Sequence, residues 1–597
     1  MCGINGFSQN NPDRLVMMNE ATKHRGPDFS GTYFDDSLSL GHCLLSIRDS
    51  EERSHQPYMP NPEWVLLLNG QIYNTRQLKE ELTGLDQTKS DLDTYVLYKT
   101  IEKYGWNFIY KIHGMFTIAL YNSREKKLRL YRDPSGQKNL YYYQKGDTFI
   151  FSSEIKSILI HDIDKTVSKE GVALATALGY VAGPYTLFKH IRKIEPSQYL
   201  SWDSASKLVS VAYFKSEANQ YFPESWEGAF KQLTLEHLQS KQKVAINLSG
   251  GLDSSLLLHE ARQAGYEVST YTTRFDGGDK KYNLDADLAQ RLAKDYGTRH
   301  QEILVTKKTY IENFIKAYET IEEPNFNISL PAYLQTASVE GARGDKNRVV
   351  ISGNGGDEIF GGYPHYEQIR KIEKQIKWLT PWLFNLIKNY RNNTDYDFRD
   401  MNERWLFFRE FRFKTAMPEI SKYAIPELLG QITQGLVDMY GVNHEAVYQA
   451  MLRERFIWMP AENFIQTDKI YMSQSAELRS PLSYHPFRLY CDKKLTKEDY
   501  TDKNSNKLFL RNLYEGRLPE YITGRKDKTG WRSPITDWYD GSFKKLFLEI
   551  ISDRKSNEYI DWEKVRHCIE SGDTWPGKHI HLYLSLAILA RKYNINL

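Results

Sequence analysis

The fold class this 597-residue sequence predicts is an α+β unit of antiparallel sheets, then a doubly wound α/β unit with a parallel sheet and a helical C-terminal part. Three observations predict it. Over the first 210 residues, short apolar runs are separated by turn clusters, the pattern of strands joined by tight connections. From about residue 227 such runs alternate with helical segments, which reads as a parallel sheet covered on both faces. Two glycine-rich stretches, 249–255 and 352–358, each follow directly on one of those runs.

In the first unit, Trp64–Leu68, Met115–Tyr121, Leu128–Tyr131, Leu140–Tyr143 and Thr148–Ser152 read as strands, with RDPSGQ and QKGD as turns. Two such sheets bury their apolar faces by packing together, with helices outside, and Glu170–Leu178 reads as a helix leaving the unit. The polar stretch Phe214–Glu224 reads as a linker, so the units are expected at 2–210 and 227–597. In the second unit, Lys243–Leu248 is a strand, Ser254–Ala264 a helix, Glu267–Phe275 a strand and Asp285–Tyr296 a helix. Gln301–Val305 and Val349–Ser352 are further strands, with a helix from near Thr309 between them. Residues 366–597 read as mainly helical. In a parallel sheet of this kind ligands gather beyond the carboxyl ends of the strands, where both glycine-rich stretches fall.

Composition excludes several function classes. Lys plus Arg is 79 and Asp plus Glu is 76, a net charge of +3, so no electrostatic footprint for nucleic acid is expected. No run approaches the length of a membrane span, and MCGINGFSQNNPDRL has no signal-peptide pattern. Four cysteines in a chain this long do not make a disulfide framework, so a reducing, cytoplasmic setting is expected. Cys43, Cys491 and Cys568 read as inert packing residues.

Cys2 is different. If the initiator Met is removed, thiol and α-amine share one residue. The amine, with a pKa near ~7.7–8.0, can then take the thiol proton and activate the nucleophile. The second stretch of interest, Ser249-Gly250-Gly251-Leu252-Asp253-Ser254-Ser255, lies between a strand and a helix without the Gly-Lys-Ser/Thr of a Walker A loop. Backbone N–H groups and hydroxyls there form an anion cradle. Asp253 inside a phosphate cradle would repel its ligand without a cation, which points to Mg²⁺.

MCGI, His24-Arg25-Gly26-Pro27-Asp28, Asn69-Gly70-Gln71-Ile72-Tyr73-Asn74, Ser90-Asp91 and Arg132-Asp133-Pro134 occur in order. Together they resemble the N-terminal-nucleophile (Ntn-hydrolase) glutamine amidotransferase domain of the asparagine synthetase family. SGGLDSS, Asp285, Ser352-Gly353-Asn354-Gly355-Gly356-Asp357-Glu358, Phe360-Gly361-Gly362-Tyr363, Asp468, Met472 and Glu477 follow. With Arg479-Ser480-Pro481, Lys507-Leu508-Phe509-Leu510-Arg511 and Lys528-Thr529-Gly530-Trp531, they resemble that family's ATP-pyrophosphatase synthetase domain.

The resemblance implies that Cys2 attacks the glutamine side-chain amide, with Asn69 and Gly70 as the oxyanion hole. Ser46, Ile47, Arg48, Asn69, Gly70, Gln71 and Asp91 then bind glutamine, Asp91 through its α-ammonium. Leu248, Ser249, Gly250, Gly251, Asp253, Ser254, Ser255, Thr273, Ser352, Gly353 and Lys507 bind ATP. Asp253 and Asp357 hold Mg²⁺, and Lys507 meets the α-phosphate and departing pyrophosphate. An acceptor carboxylate becomes an acyl-adenylate and ammonia, passed internally, converts it to an amide. The resemblance leaves a homodimer open.

The sequence departs from the family at four places. Leu44 stands at the position of the arginine that grips the glutamine α-carboxylate, and Arg48 is the residue that could replace it. Gln71 stands where the family has Glu. Asn354 replaces the acid of SGEG, and Ser483 the acid of R-x-P-F-L-D. The acceptor is therefore aspartate or another carboxylate, such as a sugar acid or a secondary-metabolite intermediate. Two other readings are a ligase of the β-lactam synthetase kind, using an internal amine, and a non-catalytic relative. Cys2 argues against the first, and Asp253, Asp357 and Lys507 against the second.

Overall fold

The structure is a computed structural model that describes residues 2–48, 52–86, 88–89, 92–216, 221–277, 279–342, 347–378, 432, 446–501, 505–525, 532–571 and 578–597. Eleven strands build the first unit: β1 (Gly3–Phe7), β2 (Phe29–Phe34), β3 (Ser39–Leu44), β4 (Trp64–Ile72), β5 (Gly114–Asn122), β6 (Lys127–Arg132), β7 (Tyr141–Lys145), β8 (Thr148–Ser152), β9 (Ile191–Lys193), β10 (Gln198–Asp203) and β11 (Val209–Tyr213). They form two antiparallel sheets, ordered β2-β3-β1-β8-β7-β9 and β11-β10-β6-β5-β4.

Alternation along β4 explains why they stack. Val65 and Leu67 enter one core with Ile4, Leu40, Phe149 and Trp202, drawn from both sheets. Trp64, Leu66 and Leu68 enter another, against Val96 and Leu97 of the helix Asp93–Tyr104. Each fully buried aliphatic side chain of this kind contributes about 1.5–3 kcal/mol. The same alternation aims Asn69 and Gln71, with Val65 and Leu67, toward the face that meets β1. β11 continues past residue 210 to Tyr213, and the next helix opens at Trp226 with Ser225 as its cap. Phe214 and Phe222, at either end of the expected linker, are buried.

The second unit has a five-stranded parallel sheet of β12 (Val244–Asn247), β13 (Ser269–Phe275), β14 (Arg299–Val305), β15 (Val349–Ile351) and β16 (Glu477–Arg479), in the order β14-β13-β12-β15-β16. The chain runs outward from β12 to one edge, then returns to the other side. The switch point therefore lies between β12 and β15, whose residues pair Val244↔Val349 through Ile246↔Ile351. Both glycine-rich loops leave the sheet there, side by side, as a ligand site at a switch point requires.

The described part of 366–597 is mainly helical, as expected, with one strand, β16, that the sequence reading does not include. Its three residues hold no apolar run. Instead Glu477 Oε1 accepts from Arg479 Nε at 2.5 Å, so both charges are compensated inside the protein. Several boundaries also shift slightly: the helix expected from Ser254 begins at Leu252, directly on Gly251.

Candidate functional site

Two sites emerge, one in each unit. In the first, Cys2 is buried, and its backbone nitrogen donates to Asn69 Oδ1 at 3.0 Å. Asn69 Nδ2 donates to Thr117 Oγ1 at 3.2 Å, so one of its two N–H groups remains for a ligand. Burial pushes the Cys2 thiol up, while the backbone N–H of Leu45 pulls it down. Gly70 has φ +143, and a Cβ there would stand 2.1 Å from Met115 O. Only glycine lets β4 press against β5 beside the thiol.

The other residues expected to bind glutamine are held in different ways. Arg48 Nη1 and Gln71 Nε2 are buried without a hydrogen-bond partner. Burial lowers the Arg48 pKa; Asp93, Tyr73 and Glu477 oppose that and Arg479 adds to it. Cys2 feels Glu477 and Asp93 as well, so thiol and guanidinium share one electrostatic neighbourhood. Ser46 N donates to Asp28 Oδ2 at 2.8 Å, and Ile47 O accepts from Lys241 N at 3.0 Å. Leu44 is buried in β3. Asp91 lies outside the described residues, as do Lys528-Thr529-Gly530-Trp531. Asp93, which no motif marks, is the described carboxylate nearest in role, held by Ile72 N at 3.2 Å and Thr94 N at 2.9 Å.

A buried charge network joins the first site to the second unit. Arg25, fully buried, donates to Cys2 O at 3.1 Å, Glu154 Oε1 at 3.0 Å and Asp468 Oδ2 at 2.8 Å. Burial would lower its pKa, but Asp468 and Glu154 more than reverse that. Asp468 also meets Lys138 at 3.4 Å. Arg348, just ahead of β15, binds Asp28. Ser135 Oγ donates to Ser483 O at 2.6 Å. Removing one partner of such a buried pair costs about 3–5 kcal/mol, so the two units are firmly joined here.

In the second site, the loop after β12 folds on itself. Ser254 Oγ accepts from Ser249 N at 3.1 Å, and Ser255 Oγ donates to Gly251 O at 2.8 Å. Leu248, Ser249, Asp253, Ser254, Thr273, Ser352, Gly353 and Asp357 line a cavity of about 390 Å³. Gly250, Gly251 and Ser255 form the turn behind them. Thr273 Oγ1 lies 2.7 Å from Thr336 Oγ1, which also lines the cavity. Lys507, nearly fully buried, reaches in with Nζ bonded to Asp253 Oδ2 and, at 2.6 Å, to Asp357 Oδ1.

That arrangement fits a magnesium-nucleotide. Asp253 Oδ1 is buried with no partner. A Cβ on Gly356 would stand 2.4 Å from that same oxygen, so the glycine keeps it accessible. Among the described residues no cluster of three metal-ligating side chains occurs. Two carboxylates plus phosphate oxygens are the donor set Mg²⁺ favours over an all-protein cage. Glu358, also on the wall, is raised to about 7 by burial and by Asp357, with Tyr363 donating to it at 2.6 Å. Asn354 Nδ2 donates to Asn463 Oδ1 at 3.1 Å, and Ser483 Oγ to Asn354 O at 3.1 Å. The two positions that lack the family's acids are thus in contact. Asn463, Gln466 and Thr467 of the wall carry no sequence signal beyond their nearness to Asp468.

Comparison with known proteins covers both units. Residues 1–214 match the family model of a glutamine amidotransferase domain, and residues 225–591 that of asparagine synthase. Glutamine-hydrolysing asparagine synthetase 1 of Bacillus subtilis is 25% identical over 610 residues, covering 96% of this chain and 94% of that protein. A putative glutamine-hydrolysing asparagine synthetase 2 of Methanocaldococcus jannaschii is 31% identical over 421 residues, covering 63% and 79%. Glutamine-hydrolysing asparagine synthetase B of Escherichia coli is 28% identical over 393 residues, covering 62% and 66%. No helix among the described residues is long and apolar enough to cross a membrane.

Proposed function

This chain belongs to the asparagine synthase family and is a glutamine-dependent, ATP-using ligase of the asparagine synthetase type, and we propose how its residues divide the work. Cys2 Sγ attacks the side-chain amide of glutamine. The Cys2 nitrogen, an α-amine once Met1 is removed, takes the thiol proton, and Asn69 Oδ1 holds that nitrogen in place at 3.0 Å. The free N–H of Asn69 and the backbone of Gly70 face the developing oxyanion. Arg48, with its uncommitted guanidinium nitrogen, takes the α-carboxylate in place of Leu44. Asp91 or Asp93 takes the α-ammonium. Ammonia leaves, and water releases glutamate from the thioester.

In the second site the acceptor carboxylate attacks the α-phosphorus of ATP and pyrophosphate departs. Lys507 offsets the charge on the leaving group. Asp253 and Asp357 would hold Mg²⁺, which when bound neutralises the phosphates. Ammonia then attacks the acyl-adenylate, AMP leaves and the amide forms. The acceptor is aspartate or another carboxylate. The β-lactam-synthetase and non-catalytic readings are not favoured.

The observation that carries this reading is Lys507 between Asp253 and Asp357 at the switch point. Pyrophosphate release with ATP, a panel of carboxylic acids and either glutamine or ammonium tests it. Release that needs an acid and a nitrogen source together supports it. Release with an amine-bearing acid alone, indifferent to glutamine and ammonium, would favour the β-lactam-synthetase reading, and no release with any acid the non-catalytic one.

A further inference from the structure

The cavity wall carries five side-chain amides, none with a role in the steps above; Asn327 and Gln466 bond each other, and the other three offer free groups to a ligand. Asn247, the last residue of β12, lines the cavity together with Asn354 and Asn463. The bond between Asn354 and Asn463 uses one N–H of the first and the oxygen of the second. An oxygen on Asn354 and an amino group on Asn463 remain for a ligand.

Asn247 is oriented from behind. Its Nδ2 donates to the Tyr471 hydroxyl at 3.0 Å, and that hydroxyl donates in turn to Glu340 Oε2 at 2.5 Å. With its proton committed to Glu340, the Tyr471 oxygen can only accept, so the Asn247 amino group faces inward. Asn247 Oδ1, which no described group bonds, is left to the cavity. Tyr471 and Glu340 are 0% and 1% exposed, and Glu340 Oε1 has no partner. Burial pushes Glu340 up to about 8 against the pull of the Tyr471 bond, and charged or neutral it keeps an oxygen that accepts that bond. A carboxyl buried without a cation destabilises the fold, and what it does here is fix Tyr471.

We infer that Asn247, Asn354 and Asn463 form the acceptor subsite, and that the acceptor is a carboxylic acid bearing neutral hydroxyl groups. Tyr471 and Glu340 are positioning residues that hold the Asn247 oxygen toward it. This rests on the amidation reading and narrows its acceptor. Hydroxyls both donate and accept, which matches two free oxygens and a free amino group. Aspartate would instead set an ammonium and a second carboxylate against neutral amides, an unfavourable desolvation.

Titration calorimetry on the full chain, loaded with Mg²⁺ and a non-hydrolysable ATP analogue, tests it with D-glucuronate, L-aspartate and succinate as probes. D-glucuronate is expected to bind at least about tenfold tighter than succinate, which offers no hydroxyl. Asn247→Leu and Tyr471→Phe should bring the two within about twofold, with analogue affinity unchanged. Glu340→Gln keeps the preference, because its amide oxygen still accepts from Tyr471, and Glu340→Leu loses it. A merely structural role would weaken both variants without altering the ranking of probes. Aspartate binding tighter than glucuronate, or a ranking unmoved by Asn247→Leu, overturns the inference and leaves amidation intact. Failure to bind the ATP analogue at all overturns the amidation reading, and this inference with it.

Discussion

The two sites are built on opposite plans. Around Cys2 the protein is closed: Cys2, the proposed nucleophile, Asn69 and Arg25 are buried, and the Cys2 backbone is held by the side chains of the other two. At the switch point the protein is open, with glycines where side chains would crowd Asp253 and a cavity along the strand ends. The difference follows from what each must do. A thiol attacking an amide needs fixed donors that do not reorganise. A triphosphate brings its own charge, so the site proposed for it needs only space, two carboxylates and one lysine. The thiol site is therefore expected to fail by loss of a group, and the nucleotide site by loss of charge balance.

The strongest way to break this comparison is Cys2→Ala. Glutamine-dependent turnover should fall by more than about 10³-fold, as expected for loss of a nucleophile. Ammonia-dependent pyrophosphate release should persist. Equal loss of both would mean that the sites are not separate. Next comes Lys507→Ala, for which pyrophosphate release should fall by about 10²- to 10³-fold. Glutamate production from glutamine, measured alone, should survive. If it collapses as well, Lys507 supports the fold through Asp253 and Asp357 rather than serving the leaving group.

A third test concerns the seam between the sites. Burial works against ionised Glu477, yet Arg479 and Lys138 hold its pKa down to about 2. A depressed carboxyl contributes stability that is present above its ordinary value near 4.5 and lost as pH falls toward 2. The shift amounts to roughly 3 kcal/mol, or about 10² in the folding constant. Denaturant melts of the wild type should show this slope between those pH values, and Glu477→Gln should flatten it. A slope unchanged by the substitution would place the acid sensitivity elsewhere.

How much was legible in the sequence follows the same division. The placement of the two glycine-rich loops was, because glycine-rich loops after apolar runs are local patterns, and SGGLDSS and SGNGGDE follow the two strands that flank the switch point. The thiol site was legible only in its motif residues. Asp93 and Glu477 reach Cys2 from a helix and from an edge strand 475 residues away, by packing that no local pattern encodes. β16 was hidden for a related reason: Glu477 and Arg479 satisfy each other, so the strand needs no apolar signature. The contacts of Tyr471 with Asn247 and Glu340 likewise span 224 and 131 residues.

The smallest expected effect sharpens the comparison most, because it concerns the one place where the closed site carries an open charge. Arg48 Nη1 is buried and unbonded, an arrangement that costs stability unless a ligand completes it. Leu44 cannot do so. If Arg48 grips the glutamine α-carboxylate, Arg48→Gln should raise KM for glutamine about tenfold, the worth of a charge-assisted hydrogen bond, with kcat nearly unchanged. Ammonia-dependent turnover should not move. The variant should also be about as stable as the wild type, since it removes a buried guanidinium nitrogen that no described group bonds. A lower kcat at unchanged KM would instead assign Arg48 to the electrostatics of the thiol, where Asp93 and Glu477 already act on both groups.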